Sequence, residues 1–218
     1  MVKYRDFINP ELRLLISKKI GRVERYRSHF VESKTLFIHI PKAAGMSVVS
    51  ALYNADSSSH LTWRDFYNSD KDKFEQYFKF SFVRNPFDRL CSAYRYLSNG
   101  GMNEIDLYWR KKYIEPYRDF EEFVNIGLEI AIKRKAEHFL PQHEFIYANC
   151  KTLKVDYLGR YETIDTDFEK ICERIGVYSK LPLKNDSGRK KDFMKNFSSD
   201  MENTVRKLYA IDFDLLGY

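Results

Sequence analysis

Residues 35–52, TLFIHIPKAAGMSVVSAL, constrain the chain more than any other stretch. Residues 35–40 are apolar and β-branched over the length of a buried strand. Pro41 stops that strand. Lys42, Ala43, Ala44 and Gly45 then form a tight turn of small residues around one lysine. Residues 46–54 read as a helix with Val48, Ala51, Leu52 and Ala55 toward one face. A strand, a small-residue turn and a helix make an anion site, because helix-start N–H groups and the helix dipole both favour negative charge. Lys42 adds a full positive charge, and Met46 and Ser47 follow at the helix start, Ser47 bringing a hydroxyl. The order differs from the ATPase loop G-x-x-x-x-G-K-[ST], since Lys42 precedes the glycine.

The chain has 218 residues, the size of one domain able to bury a substantial core. Its net charge of +6 suits an anionic ligand, nucleic acid or an acidic surface. Cys91, Cys150 and Cys172 are far apart, with no zinc-ligand spacing among them, so no metal is expected. Cys91 and Cys172 fall in helical patterns and read as buried thiols. No apolar run is long enough to span a bilayer, and no signal-peptide pattern is visible, so a soluble cytoplasmic protein is expected.

Residues 1–34 read as a basic, mostly helical lead-in packed on the domain, with weak adherence to an anionic membrane surface as the alternative. Residues 35–218 form the main domain. Thr62 and Asp65 predict a capping box and a short helix, followed by a charged surface turn at 70–73. Residues 77–83 predict a second core strand. After it Asn85 is placed as N-cap, Pro86 at the first helical position and Asp88 in the first turn. Phe87, Leu90, Cys91, Tyr94 and Leu97 form that helix's apolar stripe, and Arg89, Ser92, Arg95 and Tyr96 its opposite face. Residues 102–118 show little periodicity and read as an irregular insertion. A helix is predicted over 119–132, a loop over 138–143 and strands over 145–148 and 153–161. Asp165, Thr166 and Asp167 are placed as the cap of a helix ending near Gly176. A basic loop at 184–191 leads to a last helix over 199–209 and a tail. Strands alternating with helices imply an α/β domain with a largely parallel sheet.

The order P-K-x-x-G-x-S after a strand, in Pro41 to Ser47, resembles the 5′-phosphosulfate loop of sulfotransferases that use 3′-phosphoadenosine 5′-phosphosulfate (PAPS). R-N-P-x-x-R-x-x-S-x-Y, from Arg84 through Ser92 to Tyr94, is similar to the 3′-phosphate segment of the same family. The chemistry fits, because a guanidinium grips phosphate in bidentate fashion and a hydroxyl donates to a remaining oxygen. Arg84 paired to Asp88 or Glu75 is the plainer reading of that side chain. Residues 60–66, HLTWRDF, resemble the segment of heparan sulfate 2-O-sulfotransferases that carries their catalytic histidine. Residues 158–164 and 208–218 resemble the carbohydrate branch more generally. The chain departs from the commoner loop in having Ala43 and Ala44 where many members have a hydroxyl residue and a glycine.

The resemblance implies a three-layer α/β sandwich around a parallel sheet, the P-loop nucleotide-hydrolase-like sulfotransferase fold. It implies transfer of a sulfuryl group from PAPS to a carbohydrate hydroxyl, with His60 as general base and Lys42 stabilising the leaving oxygen. Residues 42–47, Arg84 and Ser92 are the implied donor contacts, and Ser187, Arg189 and Lys190 are expected to close over the nucleotide. His138 is the candidate acceptor contact. His29 reads as exposed, His39 as a buried hydrogen-bonded residue and His143 as a weaker candidate. Neither a metal nor a nucleic-acid partner is expected. The family's Golgi members carry a membrane anchor, and the lack of one here favours a soluble bacterial-type member. Two other classes stay open: a small-molecule kinase of similar architecture, and a nucleotide- or polyanion-binding protein without catalysis.

Overall fold

The computed structural model describes residues 24–182 and 193–218, together with Leu12 and Ile16, which are helical and exposed. The rest of the lead-in and the whole basic loop at 184–191, with Ser187, Arg189 and Lys190, lie outside the described residues. A short helix, α1 (Ser28–Ser33), buries Phe30 and delivers the chain to β1 (Thr35–Phe37). This strand is shorter than predicted. Ile38 still donates to Phe80 O, but its carbonyl accepts from the Ser81 hydroxyl instead of a strand N–H, and the ladder ends there. The predicted turn follows, then α2 (Gly45–Tyr53), with Val48 and Val49 buried.

Thr62 and Asp65 form the expected reciprocal cap on α3 (Trp63–Ser69). The predicted surface turn at 70–73 is instead the start of α4 (Lys71–Gln76), because the Asp70 side chain accepts from the Lys73 N–H and caps it. Next comes β2 (Phe78–Val83), then α5 (Pro86–Ser98), with Pro86 at its start and the Asn85 side chain accepting from the Phe87 N–H. Phe87, Leu90, Cys91 and Leu97 of the predicted α5 stripe are buried, and Tyr94 is partly so. Arg89 is not on an exposed face: it is 1% exposed, and its guanidinium donates to the carbonyls of His138 and Leu140.

The insertion at 102–118 is helical where irregular chain was expected. Asn103 caps α6 (Glu104–Trp109), which runs into a π segment, Arg110–Ile114. Asp106, Trp109, Tyr113 and Ile114 are buried at helical spacing, but a carboxylate stands among the buried positions and apolar Leu107 faces solvent, which blurs the amphipathic pattern. The predicted helix over 119–132 forms as α7 (Phe120–Glu122), a π segment (Phe123–Gly127) and α8 (Leu128–Lys133).

A 3-10 turn, Glu137–Phe139, and α9 (His143–Ile146) occupy the predicted loop and the start of the predicted strand at 145–148, leaving only β3 (Tyr147–Ala148) extended. The predicted strand over 153–161 divides into β4 (Thr152–Leu153), antiparallel to β3, and β5 (Tyr157–Arg160). Helix α10 (Ile164–Ile175) begins before the predicted cap and ends at left-handed Gly176. Asp167 does not cap it; its carboxylate accepts from Arg160 N–H and the Thr163 hydroxyl. The chain closes with α11 (Ser199–Leu208) and α12 (Ala210–Leu216), so the expected tail is a helix.

The α/β expectation with a parallel sheet holds. The sheet has the order β1-β2-β5, both pairs parallel, with Phe37 opposite Phe80 and Val83 opposite Arg160. One hydrophobic core surrounds this sheet with α2, α3 and α10. A second joins α5, the π segments, α8 and α11. The segment at 139–140 belongs to both, Phe139 to the helical core and Leu140 to the sheet core. All three strands point their carboxyl ends the same way, and each of those ends leads directly into a residue of the site.

Candidate functional site

The carboxyl ends of β1, β2 and β5 open onto a cavity of about 420 Å³. His39, Lys42, Ala44, Gly45, Met46 and Ser47 line it from the loop after β1, Arg84 and Ser92 from β2 and α5, and Tyr161 from the end of β5. Crevices at strand carboxyl ends are where open parallel sheets bind ligands.

The loop after β1 reaches this geometry through strained backbone. Lys42 and Ala44 both have left-handed φ, 68° and 66°. Gly45 lies so close to the His39 ring that a Cβ there would sit 1.9 Å from it. The first N–H groups of α2, at Gly45 and Met46, have no intrahelical acceptor, as at any helix start. Ala43 departs from the expectation. It is 1% exposed, its N–H donates to Ile40 O, and it does not line the cavity, so it braces the turn from behind. The Lys42 ammonium sits 3.8 Å from the centre of the Tyr96 ring, a cation–π contact. Burial, reinforced by the nearby Arg84 charge and opposed by Asp106, lowers its pKa to about 8.

Arg84 does form the plainer pairing, since its Nε donates to Asp88 Oδ2 at 2.7 Å. It also donates from a terminal nitrogen to Lys42 O and lies 4.0 Å above the Tyr161 ring. A guanidinium has five donors, so the Asp88 pair orients the group without exhausting it. Its main chain is pinned as well: Arg84 N–H donates to Gln142 Oε1, and Gln142 Nε2 donates to Arg84 O. Gln142 is held in turn by Asp212 of α12, whose carboxylate accepts from the N–H groups of Gln142 and His143 and pairs with the His143 ring.

His60 lines the same cavity, its ring 4.7 Å from that of His39 and 5.4 Å from that of His138. Its Nδ1 is 3.2 Å from Glu137 Oε2. His39 is buried as expected, but the expected hydrogen bond is missing, because its Nδ1 has no partner. Burial holds its pKa well below the ordinary value, with the nearby His60, His138 and Lys42 charges adding to the effect. His138 reaches the cavity wall, but as a ring only 4% exposed, with Nε2 3.2 Å from Asp106 Oδ1. Burial lowers its pKa to about 4, against the opposing hydrogen bond with Asp106. Burial pushes the Asp106 carboxyl up, yet hydrogen bonds from His138, Tyr96 and Met102 N–H outweigh it and leave the pKa at about 2. His29, expected exposed, is half-buried and stacked on Tyr53. Among the described residues, no group of three or more His, Cys, Asp or Glu could hold a metal.

Among the residues that line or brace the site, His39, Tyr96, Glu137, Gln142 and Tyr161 were not assigned to it from sequence. Glu137 and Gln142 lie 77 and 58 positions from the residues they hold, beyond any local pattern. Tyr96 gave a signal, since it shares a helix with Ser92 one turn on.

Residues 30–218 match the family model described as the sulfotransferase family. The chain is 29% identical over 173 residues to carbohydrate sulfotransferase 11 of Mus musculus, covering 67% of this chain and 48% of that protein. It is 28% identical over 229 residues to carbohydrate sulfotransferase 14 of Danio rerio, covering 86% of this chain and 60% of that one. With carbohydrate sulfotransferase 12 of Mus musculus it shares 26% over 200 residues, covering 75% and 47%. The chain thus spans about half the length of the curated relatives it matches. No solved structure matches it. The expected cytoplasmic location does not stand: the relatives are carbohydrate sulfotransferases, Golgi membrane-type enzymes, and kinship with them points away from the cytoplasm. No described helix is long and apolar enough to cross a membrane.

Proposed function

We propose, from the premise that this chain belongs to the sulfotransferase family, that it moves a sulfuryl group from PAPS to a hydroxyl of a carbohydrate acceptor. One observation carries the reading. The loop of Lys42 and Ser47, the Arg84–Ser92 segment and His60 come from separate parts of the chain and line one cavity.

In the proposed reaction the acceptor oxygen attacks sulfur in line, the S–O bond to the 5′-phosphate breaks, and the hydroxyl proton passes to His60. Negative charge growing on the departing bridging oxygen is met by the Lys42 ammonium, the N–H groups of Gly45 and Met46 and the Ser47 hydroxyl. Arg84, oriented by Asp88 and stacked on Tyr161, holds the 3′-phosphate together with Ser92. His138 stands behind His60 and outside direct reach of the acceptor, because its ring is buried and tied to Asp106.

The test combines ligand preference with turnover. 3′-Phosphoadenosine 5′-phosphate is expected to raise the melting temperature well above any rise from ADP, since only the former presents a 3′-phosphate to Arg84 and Ser92. Radiolabelled PAPS with a panel of polysaccharide acceptors is expected to give labelled product. His60→Ala should lower single-turnover sulfation by ~10²–10⁴-fold while nucleotide affinity stays near wild type. Equal stabilisation by ADP would remove the 3′-phosphate assignment. Tight nucleotide binding with no acceptor ever sulfated would leave a binding protein in place of an enzyme.

A further inference from the structure

We propose that Glu137 is a positioning residue that sets the tautomer of His60, so that the ring carries its proton on Nδ1 and presents the lone pair of Nε2 to the acceptor hydroxyl. The proposal rests on the sulfotransferase reading for its catalytic meaning, but its structural half stands alone.

The contact itself is direct: His60 Nδ1 lies 3.2 Å from Glu137 Oε2, with only 22% and 13% of the two side chains exposed. An ionised carboxylate only accepts hydrogen bonds, so at this distance the ring nitrogen facing it must donate. A neutral imidazole that donates from Nδ1 keeps its lone pair on Nε2, which is what a proton acceptor needs. When the hydroxyl proton arrives on Nε2 the ring becomes an imidazolium, and the adjacent carboxylate stabilises it while remaining ionised.

Glu137 is fixed well enough to exert this choice. It opens the 3-10 turn Glu137–Phe139, and the next carbonyl in the chain, His138 O, accepts from buried Arg89. The His138 side chain is anchored on Asp106, so the turn is gripped from two sides. The other groups around His60 do not offer the same control. His39 and His138 meet its ring edge-to-face, and burial keeps both uncharged at neutral pH. The carboxylate that meets the His60 ring at Nδ1 is Glu137.

The experiment reads the tautomer and the rate separately. Long-range ¹H–¹⁵N correlation of wild-type protein, with His60 assigned by difference against His60→Ala, is expected to show a protonated Nδ1 and an unprotonated Nε2. In Glu137→Ala the preference should fall to a mixture of tautomers. Glu137→Gln, which keeps the size but loses the charge, is expected to lower kcat by about 10- to 100-fold, part of the full worth of a positioned base. PAPS KM and the Kd for 3′-phosphoadenosine 5′-phosphate should not change. A merely structural role would move binding or folding and leave the tautomer alone. The proposal is overturned by an Nε2-protonated ring in the wild type, by an unchanged tautomer in Glu137→Ala, or by an unchanged kcat in Glu137→Gln. Absence of any sulfuryl transfer by wild-type protein would instead sink the catalytic reading, while the wild-type tautomer would still decide the structural one.

Discussion

Lys42 combines three conditions that rarely meet in one residue. Its backbone is left-handed, its ammonium rests on an aromatic face, and burial together with the Arg84 charge brings its pKa down to about 8. An anionic donor needs the protonated form, and at pH 7 most of the population still carries that proton. Above about 8 the free protein loses it, and binding must then recapture a proton from solution. Affinity for 3′-phosphoadenosine 5′-phosphate is therefore expected to fall as pH rises from 7 to 9.5, approaching about tenfold per pH unit at the alkaline end. Lys42→Arg should flatten the profile, because a guanidinium does not titrate in this range. Calorimetric titration across that range checks both. A flat profile in the wild type would detach Lys42 from the donor.

At the scale of elements, the informative unit is the turn between β1 and α2. Ala44 is the N-cap of α2 with φ of 66°, a conformation in which Cβ crowds the backbone and which glycine adopts freely. The commoner loop of the family it resembles has a glycine at this position, and the backbone angle supplies the physical reason. Ala44→Gly removes roughly 1–2 kcal/mol of local strain. Glycine also gives the unfolded chain more freedom, which offsets about 0.4–1 kcal/mol. The net expectation is a small gain, between zero and about 1.6 kcal/mol, in urea unfolding, with nucleotide affinity kept. Substantial destabilisation would mean that the alanine methyl does packing work in the cavity wall. Gly45 allows no such exchange, because the His39 ring occupies the place of any side chain.

Across the whole molecule, the two cores meet at residues 138–142, and buried polar groups hold that seam. Arg89 reaches the carbonyls of His138 and Leu140, Asp212 receives the N–H groups of Gln142 and His143, and Asp106 receives His138. This arrangement gives the fold an acid sensitivity whose sign follows from burial. His138 binds its proton less readily when folded, at about 4 against an ordinary 6.5, so the unfolded state takes up more protons in between. Stability is full above about pH 6.5 and is lost as pH falls toward 4, by about 1.4 kcal/mol for each pH unit crossed between those two values. His39 acts in the same direction. The loss of the Asp106 contribution comes lower, below the carboxylate's ordinary 3.8. Thermal melts from pH 7.5 to 4.5 are expected to show a falling Tm, with a shallower slope in His138→Gln. An identical slope in that variant would place the acid-labile group elsewhere.

The sequence by itself determined what depends on near neighbours. The turn after β1, the Thr62 cap, the Asn85–Pro86 start of α5 and the alternation that yields a parallel sheet each rest on residues within one or two turns of one another. Strain and capping act over that range, so they are legible in a string of letters. The tertiary structure alone decided which partners those elements meet. It buried Arg89 between two carbonyls, brought Glu137 to His60 across 77 positions, and fastened Arg84 through Gln142 to Asp212. It also wound 104–114 into a helix that ends in a π segment, around a buried Asp106 that binds His138 and Tyr96, where irregular chain was expected. The reason is the same in each case. A buried polar group must be satisfied by whatever donor or acceptor the fold carries to it, and that choice is made by packing in space, without regard to distance along the chain.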